Sequence, residues 1–166
     1  VLDFFKERLR NQLLNDRLPF DSIDSVLSAP WYDISDAIKR IRAIEKFKAH
    51  PDCNNLVIAF KRVSNILKKA APGVCEPDTA LFAEDEERAL YEASQNIAPE
   101  IAAYWKAGDY SSLFESLASI KERIDAFFDT VMVMVEDEAV KANRLALLAS
   151  VRGLYSSIAD LSKLTA

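Results

Sequence analysis

Few residues of this chain have the types and spacing that covalent or metal chemistry requires. The single histidine, His50, lies three residues before Cys53, so a general base beside a thiol nucleophile is one interpretation of the pair. The alternative is a turn histidine next to an inert cysteine, since there is no second histidine to join a metal site. The three glycines, at positions 73, 108 and 153, are too far apart to build a phosphate-binding loop. The sequence therefore predicts a non-catalytic chain.

A run of three acids at 136–138 is the other place where an ion could bind. Carboxylate oxygens are suitable ligands for hard cations. Acidic residues also stabilise the start of a helix through its dipole, and the apolar spacing predicts a helix that begins at this point. The helix-start interpretation is favoured because it requires no ligand.

Basic residues give a stronger chemical signal, because they cluster on two helices predicted at about 34–49 and 54–71. Residues four or seven apart share a helix face, as Arg42 does with Lys46 and Arg62 with Lys69. If the two helices are neighbours, their basic faces would form a surface that binds phosphate groups. The alternative is the solvated side of two amphipathic helices. The first helix has Lys39, Arg40, Arg42, Lys46 and Lys48, and the second has Lys61, Arg62, Lys68 and Lys69.

Length and composition indicate one soluble domain that covers residues 1–166. Half of the residues are hydrophobic, 28% are charged and only 3 are glycine, which favours helices over sheets. The net charge of −5 is uneven: residues 1–71 have 13 basic and 9 acidic side chains, whereas 72–166 have 8 and 17. Such asymmetry can indicate one basic binding surface or simply uneven solvated faces. We expect a cytoplasmic protein, since no apolar run could span a membrane, no signal peptide is recognisable and the two cysteines form no disulfide framework.

Apolar residues at three- and four-residue spacing predict an all-α bundle of seven or eight helices. Asp21 and Asp33 are candidate N-caps, and Gly108 followed by Asp109 predicts a tight turn between helices. We expect Pro99 to kink the long helix around it or to divide it. The predicted helices cover residues 2–15, a short segment after Asp21, and 34–49, 54–71, 84–107, 110–119, 121–130 and 138–162.

Two segments are predicted to be non-helical. Residues 72–77 contain two prolines and a glycine, which indicates a loop inside a single continuous bundle. Residues 131–135 alternate Val and Met, as a β-strand would, but one strand among helices has no partner. We therefore expect residues 131–135 to form a buried extended connector.

Arg144 lies on the inward side of the last predicted helix, between Val140 and Leu147. An unpaired charge there would cost several kcal/mol, so the guanidinium must be paired or donate to carbonyls. We expect a structural role in which Arg144 binds the carbonyls of the connector, or Asp125 or Asp129.

The stretch from Phe127 to Leu148, FFDTVMVMVEDEAVKANRLALL, resembles the C-terminal signature of the bacterial-type glycyl-tRNA synthetase β subunit. The segment FKRVSNILK at 60–68 and the Gly-Asp-Tyr step at 108–110 resemble other parts of the same family, so that the similarity covers nearly the whole chain. Where the family has an arginine before the Asn-Arg-Leu step, this chain has Lys141, which keeps the charge. The signature residues expected to be structural are Phe127, Phe128, Asp129, Asn143 and Arg144.

The resemblance implies the all-helical, DALR-type anticodon-binding domain at the C-terminal end of a longer β subunit. It implies tRNA(Gly), the α subunit and the remainder of the β subunit as partners, with neither DNA nor a membrane involved. The ligation of glycine to tRNA by that enzyme uses ATP and Mg²⁺, and the aminoacylation site is in the α subunit. No cofactor or metal is therefore expected in these residues.

If the chain binds tRNA, the two basic helices contain the expected contacts. Asn65 is the best candidate for a base edge, because an amide can both donate and accept hydrogen bonds. Arg40 and Arg42 are expected phosphate contacts. The full expected set is Arg40, Arg42, Lys61, Arg62, Asn65, Lys68 and Lys69. A second class of function remains open, namely a helical protein–protein interaction module whose basic face has no contact with RNA.

Overall fold

A computed structural model describes residues 2–70 and 75–165, which form eight α-helices and two short 3-10 turns. The predicted all-α bundle of seven or eight helices is confirmed. The helices are α1 (Leu2–Asn15), α2 (Phe20–Leu27), α3 (Ile34–Phe47), α4 (Cys53–Ala70), α5 (Asp85–Ala107), α6 (Tyr110–Ala118), α7 (Lys121–Thr130) and α8 (Glu138–Gly153). The 3-10 turns are Thr79–Leu81 and Leu161–Lys163. Part of the loop predicted at 72–77 lies outside the described residues.

Aspartates cap three of the helices, as the local sequence indicates. Asp33, Asp109 and Asp137 each accept a hydrogen bond from a backbone N–H in the first turn of α3, α6 and α8, where no helical acceptor is available. Gly108 ends α5 with φ of 70°, a left-handed conformation that glycine adopts without a steric penalty. These local signals explain why most predicted helix bounds agree with the structure.

The helices pack around one hydrophobic core. α5 packs against α6 and α7, α3 packs against α2 and α6, and α4 packs against α7 and α8. The Phe60 ring of α4 lies with its centroid 4.0 Å from that of Tyr155, and Phe47 of α3 stacks on Phe114 of α6 at 5.3 Å. Because Phe60 and its neighbours one turn away are buried, the opposite side of α4 must face solvent.

The predicted N-cap of α2 is wrong, and one of the two outcomes expected at Pro99, the division of the helix, is excluded. Asp21 is not the N-cap of α2, because Pro19 occupies that position. The Asp21 carboxylate lies inside the first turn, where it accepts from the adjacent Ser22 N–H at 2.9 Å and from Lys48 Nζ at 2.8 Å. Pro99 does not divide α5, which continues to Ala107. Pro99 removes the donor for the Gln95 carbonyl, but both residues are exposed, so water can replace the missing hydrogen bond.

The last helix is shorter than predicted, since α8 ends at Gly153 rather than near residue 162. Beyond it the chain turns until the backbone N–H of Asp160 donates to the Ser25 carbonyl at 2.8 Å. The apolar residues of this segment, including Ile158 and Leu161, remain buried without continuing the helix. The C-terminal segment is therefore attached to α2.

The connector between α7 and α8 is only half buried. Val131 and Val133 are buried, whereas Met132 and Met134 are 71% and 56% exposed. Among the described residues no strand is formed. The expectation of a buried connector is thus right for Val131 and Val133, right in part for the half-buried Val135, and wrong for the methionines.

Candidate nucleic-acid interface

One side of α4 is basic. The helix contains no Asp or Glu over its 18 residues. We call its solvent-facing residues Lys61, Arg62, Asn65, Lys68 and Lys69 the α4 basic face. Lys61 is half-buried and the other four residues are exposed. None of the four cations forms an ion pair with a carboxylate in residues 2–70 or 75–165. The charge is therefore available to an external anion.

Helical spacing gives this face two edges. Lys61 and Lys68 are two turns apart on one edge, Arg62 and Lys69 are two turns apart on the other, and Asn65 lies between them. The guanidinium carbon of Arg62 lies 4.1 Å from the centroid of the Phe128 ring in α7, so a cation–π contact holds that edge against the neighbouring helix. The face thus has a polar amide at its centre and positive charge on both sides.

The basic residues of α3 do not extend this face. Arg42 and Lys46 are exposed, but α3 packs against α2 and α6 while α4 packs against α7 and α8. The condition for a joint basic surface, that the two helices are neighbours, is not met, because within the described residues other helices are their main packing partners. Arg42 remains a predicted phosphate contact on a separate part of the surface.

Arg40 is not available as a phosphate contact, which corrects the sequence-based prediction. Its side chain is 4% exposed and its Nη1 donates to the carbonyl of Pro30 at 2.9 Å and to that of Ser157 at 3.2 Å. Asp36 pairs with its other Nη, and its guanidinium carbon lies 4.4 Å from the Trp105 ring centroid. Because the side chain is buried and both of its Nη atoms are engaged, Arg40 joins α3 to the C-terminal segment and cannot reach RNA.

Arg144 has the structural role that the sequence predicts, with a different acidic partner. Its Nη1 donates to the Met132 carbonyl at 2.9 Å, as expected for a connector contact. Its Nε donates to the carboxylate of Glu87 in α5 at 3.0 Å, so the expected pairing with Asp125 or Asp129 is wrong. Burial alone would raise the pKa of Glu87, but the hydrogen bonds from Arg144 and from two backbone amides hold that pKa below its usual value.

Other residues of the signature stretch also fix the fold. Asn143 accepts from the backbone N–H of Asp78 at 2.7 Å and donates to the carbonyl of the same residue at 2.9 Å. Phe127 is fully buried, Phe128 supports Arg62, and Asp129 is exposed. The described contacts assign no comparable structural role to Asp129.

The sequence of the chain matches a known protein family. A family model described as "DALR anticodon binding domain" matches residues 56–164, more than half of the chain. The chain belongs to the DALR anticodon-binding domain family. The resemblance to the C-terminal region of the glycine–tRNA ligase β subunit is confirmed as well, because relatives with that name align along the whole chain.

Three such relatives show the extent of the similarity. The β subunit of glycine–tRNA ligase from Geotalea uraniireducens is 44% identical over 168 residues, covering 100% of this chain and 24% of the relative. Those from Syntrophus aciditrophicus and Neisseria meningitidis are 40% and 41% identical, covering 99% and 98% of this chain and 24% and 23% of the relatives. The chain therefore spans about a quarter of the length of these β subunits.

The DALR match separates the two basic regions. All five residues of the α4 basic face fall within residues 56–164, whereas Arg42 and the rest of α3 fall before them. Sequence reasoning missed two residues beside the face, Arg152 and Tyr155, which line a cavity together with Lys68. Tyr155 belongs to an aromatic contact between distant segments, which periodicity cannot predict. The available signal was Arg152, eight residues and thus about two turns after Arg144 on the same helix.

The residues considered for covalent or metal chemistry have structural roles. Burial raises the pKa of the Cys53 thiol, with Lys48 opposing that rise, which disfavours the thiolate. His50 accepts from the backbone N–H of Asp52 at 3.2 Å, and Asp137 caps α8. Within the described ranges no group of three or more His, Cys, Asp or Glu residues could hold a metal ion. Separately, no helix in these ranges is both long and apolar enough to cross a membrane.

Proposed function

We propose that this chain is the tRNA-binding part of a glycine–tRNA ligase β subunit and that it holds the anticodon arm of tRNA(Gly) on the α4 basic face. The observation that supports the proposal is that four cations on one side of a helix inside the DALR match form no ion pair with a carboxylate of the described residues. A net charge of −5 does not oppose this function, because the acids lie mostly in the second half of the chain.

The two kinds of side chain on this face suit different parts of the RNA. Lysine and arginine attract backbone phosphates, which positions the nucleic acid without reading its sequence. Asn65, at the centre, can donate to and accept from a base edge. The unpaired bases of an anticodon loop expose such edges, whereas the deep major groove of an RNA helix conceals them. Arg42 is proposed as an additional phosphate contact outside the face.

The activity of the complete enzyme is proposed to reside outside these residues. Glycine ligation with ATP and Mg²⁺ would take place in the α subunit, and the cytoplasm is the expected location. The described carboxylates and histidine form no group that fits Mg²⁺. No step of ligation is therefore assigned to this chain, whose proposed partners are tRNA(Gly), the α subunit and the remainder of the β subunit.

Titration with the tRNA(Gly) anticodon stem-loop at several salt concentrations tests the proposal. With four phosphate contacts on the α4 basic face and one at Arg42, the plot of log K against log salt should have a slope of about −4. In the double variant Arg62→Ala/Lys69→Ala the magnitude of that slope should fall by about 2, since each lost phosphate contact removes about 1. The matched control is Arg88→Ala/Lys106→Ala, which removes two exposed cations from α5, a helix packed mainly against α6, α7 and α8.

Equal losses in the two double variants would show that only net charge matters and would contradict the assigned face. Undetectable binding by the wild-type chain at low salt would contradict the RNA-binding function itself. That result would favour the alternative, a helical module that binds protein without contacting RNA.

A further inference from the structure

Tyr155 has a buried hydroxyl group whose hydrogen-bonding capacity is unused. The side chain is 2% exposed, and its ring packs on Phe60 with 4.0 Å between centroids. Within the described residues no group meets the geometry of a hydrogen bond with this hydroxyl. A buried polar group without a partner is destabilising and uncommon, so this one requires an explanation.

The phenol is a hydrogen-bond donor at neutral pH. Burial raises the pKa of Tyr155 to about 12, with Ser64 and Arg152 opposing that rise. A group that keeps its proton offers one donor to a ligand oxygen. The unused donor is therefore suited to an anion rather than to a cation.

The same tyrosine lines a cavity of about 170 Å³ where α4 meets the end of α8. One water molecule needs only about 10–15 Å³ of such space, so a tetrahedral oxyanion fits with room for solvent. Lys68 enters from α4 and Arg152 from the last turn of α8, and both are exposed. Neither cation pairs with a carboxylate of the described segments.

One acid also lines the cavity and reduces its positive charge. Asp160 accepts from the backbone N–H of Ser162 at 3.2 Å and from its hydroxyl at 2.5 Å, so Asp160 is engaged in capping the C-terminal 3-10 turn. Two cations against one such carboxylate leave the cavity positive. Its remaining polar lining consists of serine hydroxyls, including Ser64 and Ser156, which can donate to oxygen.

We propose that this cavity binds a backbone phosphate of the RNA, with Lys68 and Arg152 supplying positive charge and the Tyr155 hydroxyl donating a hydrogen bond. The inference rests on the proposed tRNA-binding function and extends its site beyond α4. Lys68 belongs both to the α4 basic face and to the cavity. An RNA backbone bound along that face would therefore also reach the cavity. Free inorganic phosphate has the same chemistry, and the experiment must separate the two sources.

The test compares Arg152→Gln and Tyr155→Phe with wild type in binding to the tRNA(Gly) anticodon stem-loop. Arg152→Gln should weaken binding about 10-fold and reduce the salt slope by about 1, because a charged phosphate contact is lost. Tyr155→Phe should weaken binding about threefold to tenfold at an unchanged salt slope, because the lost group is neutral. Arg88→Gln, which removes an exposed arginine from α5, is the matched control and should change affinity by less than about twofold.

Stability separates a ligand-binding hydroxyl from a structural one. Tyr155→Phe removes an unpartnered buried group and keeps the ring on Phe60, so the free chain should be as stable as wild type or more stable. A structural hydroxyl would lower the stability of the free chain in this variant and leave RNA affinity unchanged. The proposal therefore predicts that Tyr155→Phe weakens RNA binding without lowering the stability of the free chain.

The possible failures are distinguishable. If wild type binds RNA and the α4 variants weaken it, but Arg152→Gln and Tyr155→Phe do not, the cavity assignment is overturned and the proposed function stands. If wild type binds no RNA at low salt, both are overturned. Inorganic phosphate that raises the melting temperature of wild type and not of Arg152→Gln, in a chain that binds no RNA, would identify a free-phosphate site instead.

Discussion

The exposed face of α4 and the start of α8 use similar residues for opposite purposes. On α4, Arg62 and three lysines are exposed or half-buried and form no ion pair with a carboxylate among the described residues. At the start of α8, Arg144 is buried between the Glu87 carboxylate and the Met132 carbonyl. The segment around Arg144 is the more distinctive in sequence, whereas α4 resembles many amphipathic helices.

The difference shows that a distinctive motif need not be the binding site. The start of α8 tolerates few substitutions, because several buried groups there are hydrogen-bonded to one another. A change in any of them leaves a buried charge or carbonyl unpaired. The α4 face needs only positive charge in solvent, which many sequences can provide. Arg40 resembles Arg144, because both side chains are buried and donate to backbone carbonyls. Its position between other basic residues had instead predicted an exposed phosphate contact like those of α4.

The largest effect is expected for Arg144→Ala, which tests whether the start of α8 is structural. This variant should lower the free energy of unfolding by about 3–5 kcal/mol. The physical reason is that the Glu87 carboxylate would stay buried without its partner. Urea denaturation of the chain measures the loss. Lys69→Ala is the matched control on α4 and should change stability by no more than about 0.5 kcal/mol. Similar losses in the two variants would contradict the distinction between the regions.

Arg40→Ala should lower the free energy of unfolding by about 2–3 kcal/mol, because it leaves the carbonyls of Pro30 and Ser157 without a charged donor. Arg42→Ala, two residues away and exposed, should change it by at most about 0.5 kcal/mol. Both variants are compared by urea denaturation. A stable Arg40→Ala chain with weakened tRNA binding would restore Arg40 as an RNA contact.

Local sequence was sufficient for the parts of the fold that depend on local interactions. Asp33, Asp109 and Asp137 cap helices through backbone groups two or three residues away, so their roles can be predicted from position. The partner of Arg144 is 57 residues away in sequence and could not be found in this way. Periodicity placed Arg144 inside the bundle, but only the packing of α5 on α8 brings Glu87 to it.

The candidate site shows the same division. Helical spacing was enough to put the α4 cations on one side of their helix. The same spacing also indicates that Arg40 is not a phosphate contact, because Arg40 shares a face with Ala37 and Ile44, which are buried, and lies four residues after Asp36, its ion-pair partner. The prediction nevertheless included Arg40 because several basic residues surround it in the sequence. The separation of α3 from α4 and the cavity at Tyr155 depend on tertiary packing, which periodicity does not contain.

A smaller effect concerns the pH dependence of the Glu87–Arg144 pair. Because the folded-state pKa of Glu87 is below its usual value, the pair stabilises the fold above the unfolded-state pKa of about 4.3 and loses that contribution as pH falls toward the folded-state value. The stability difference between wild type and Glu87→Gln, measured by urea denaturation, should therefore be constant from pH 7 to pH 5 and shrink below about pH 4. A difference that is independent of pH down to pH 3 would mean that the Glu87 charge does not contribute.

Asn65→Ala should lower the preference for the tRNA(Gly) anticodon loop over a loop of altered sequence by about fivefold, which corresponds to one neutral hydrogen bond of about 1 kcal/mol. The salt slope should not change, because no charge is removed. Lys61→Ala is the contrasting variant, and it should weaken binding to both loops equally and reduce the slope by about 1. If Asn65→Ala weakens binding to both loops equally, the amide does not read a base.

The smallest effect tests whether the α4 face is as independent of the fold as the comparison assumes. Arg62 touches α7 through Phe128, so this cation has a packing role in addition to its charge. Arg62→Lys keeps the charge but loses the planar group that stacks on the ring, and it should lower the free energy of unfolding by about 0.5–1 kcal/mol while leaving the salt slope of RNA binding unchanged. Phe128→Leu should reproduce the stability loss, and the two substitutions combined should cost less than their sum, since they remove the same contact. Additive losses would show that Arg62 is held by other groups and that its contact with α7 is incidental to the face.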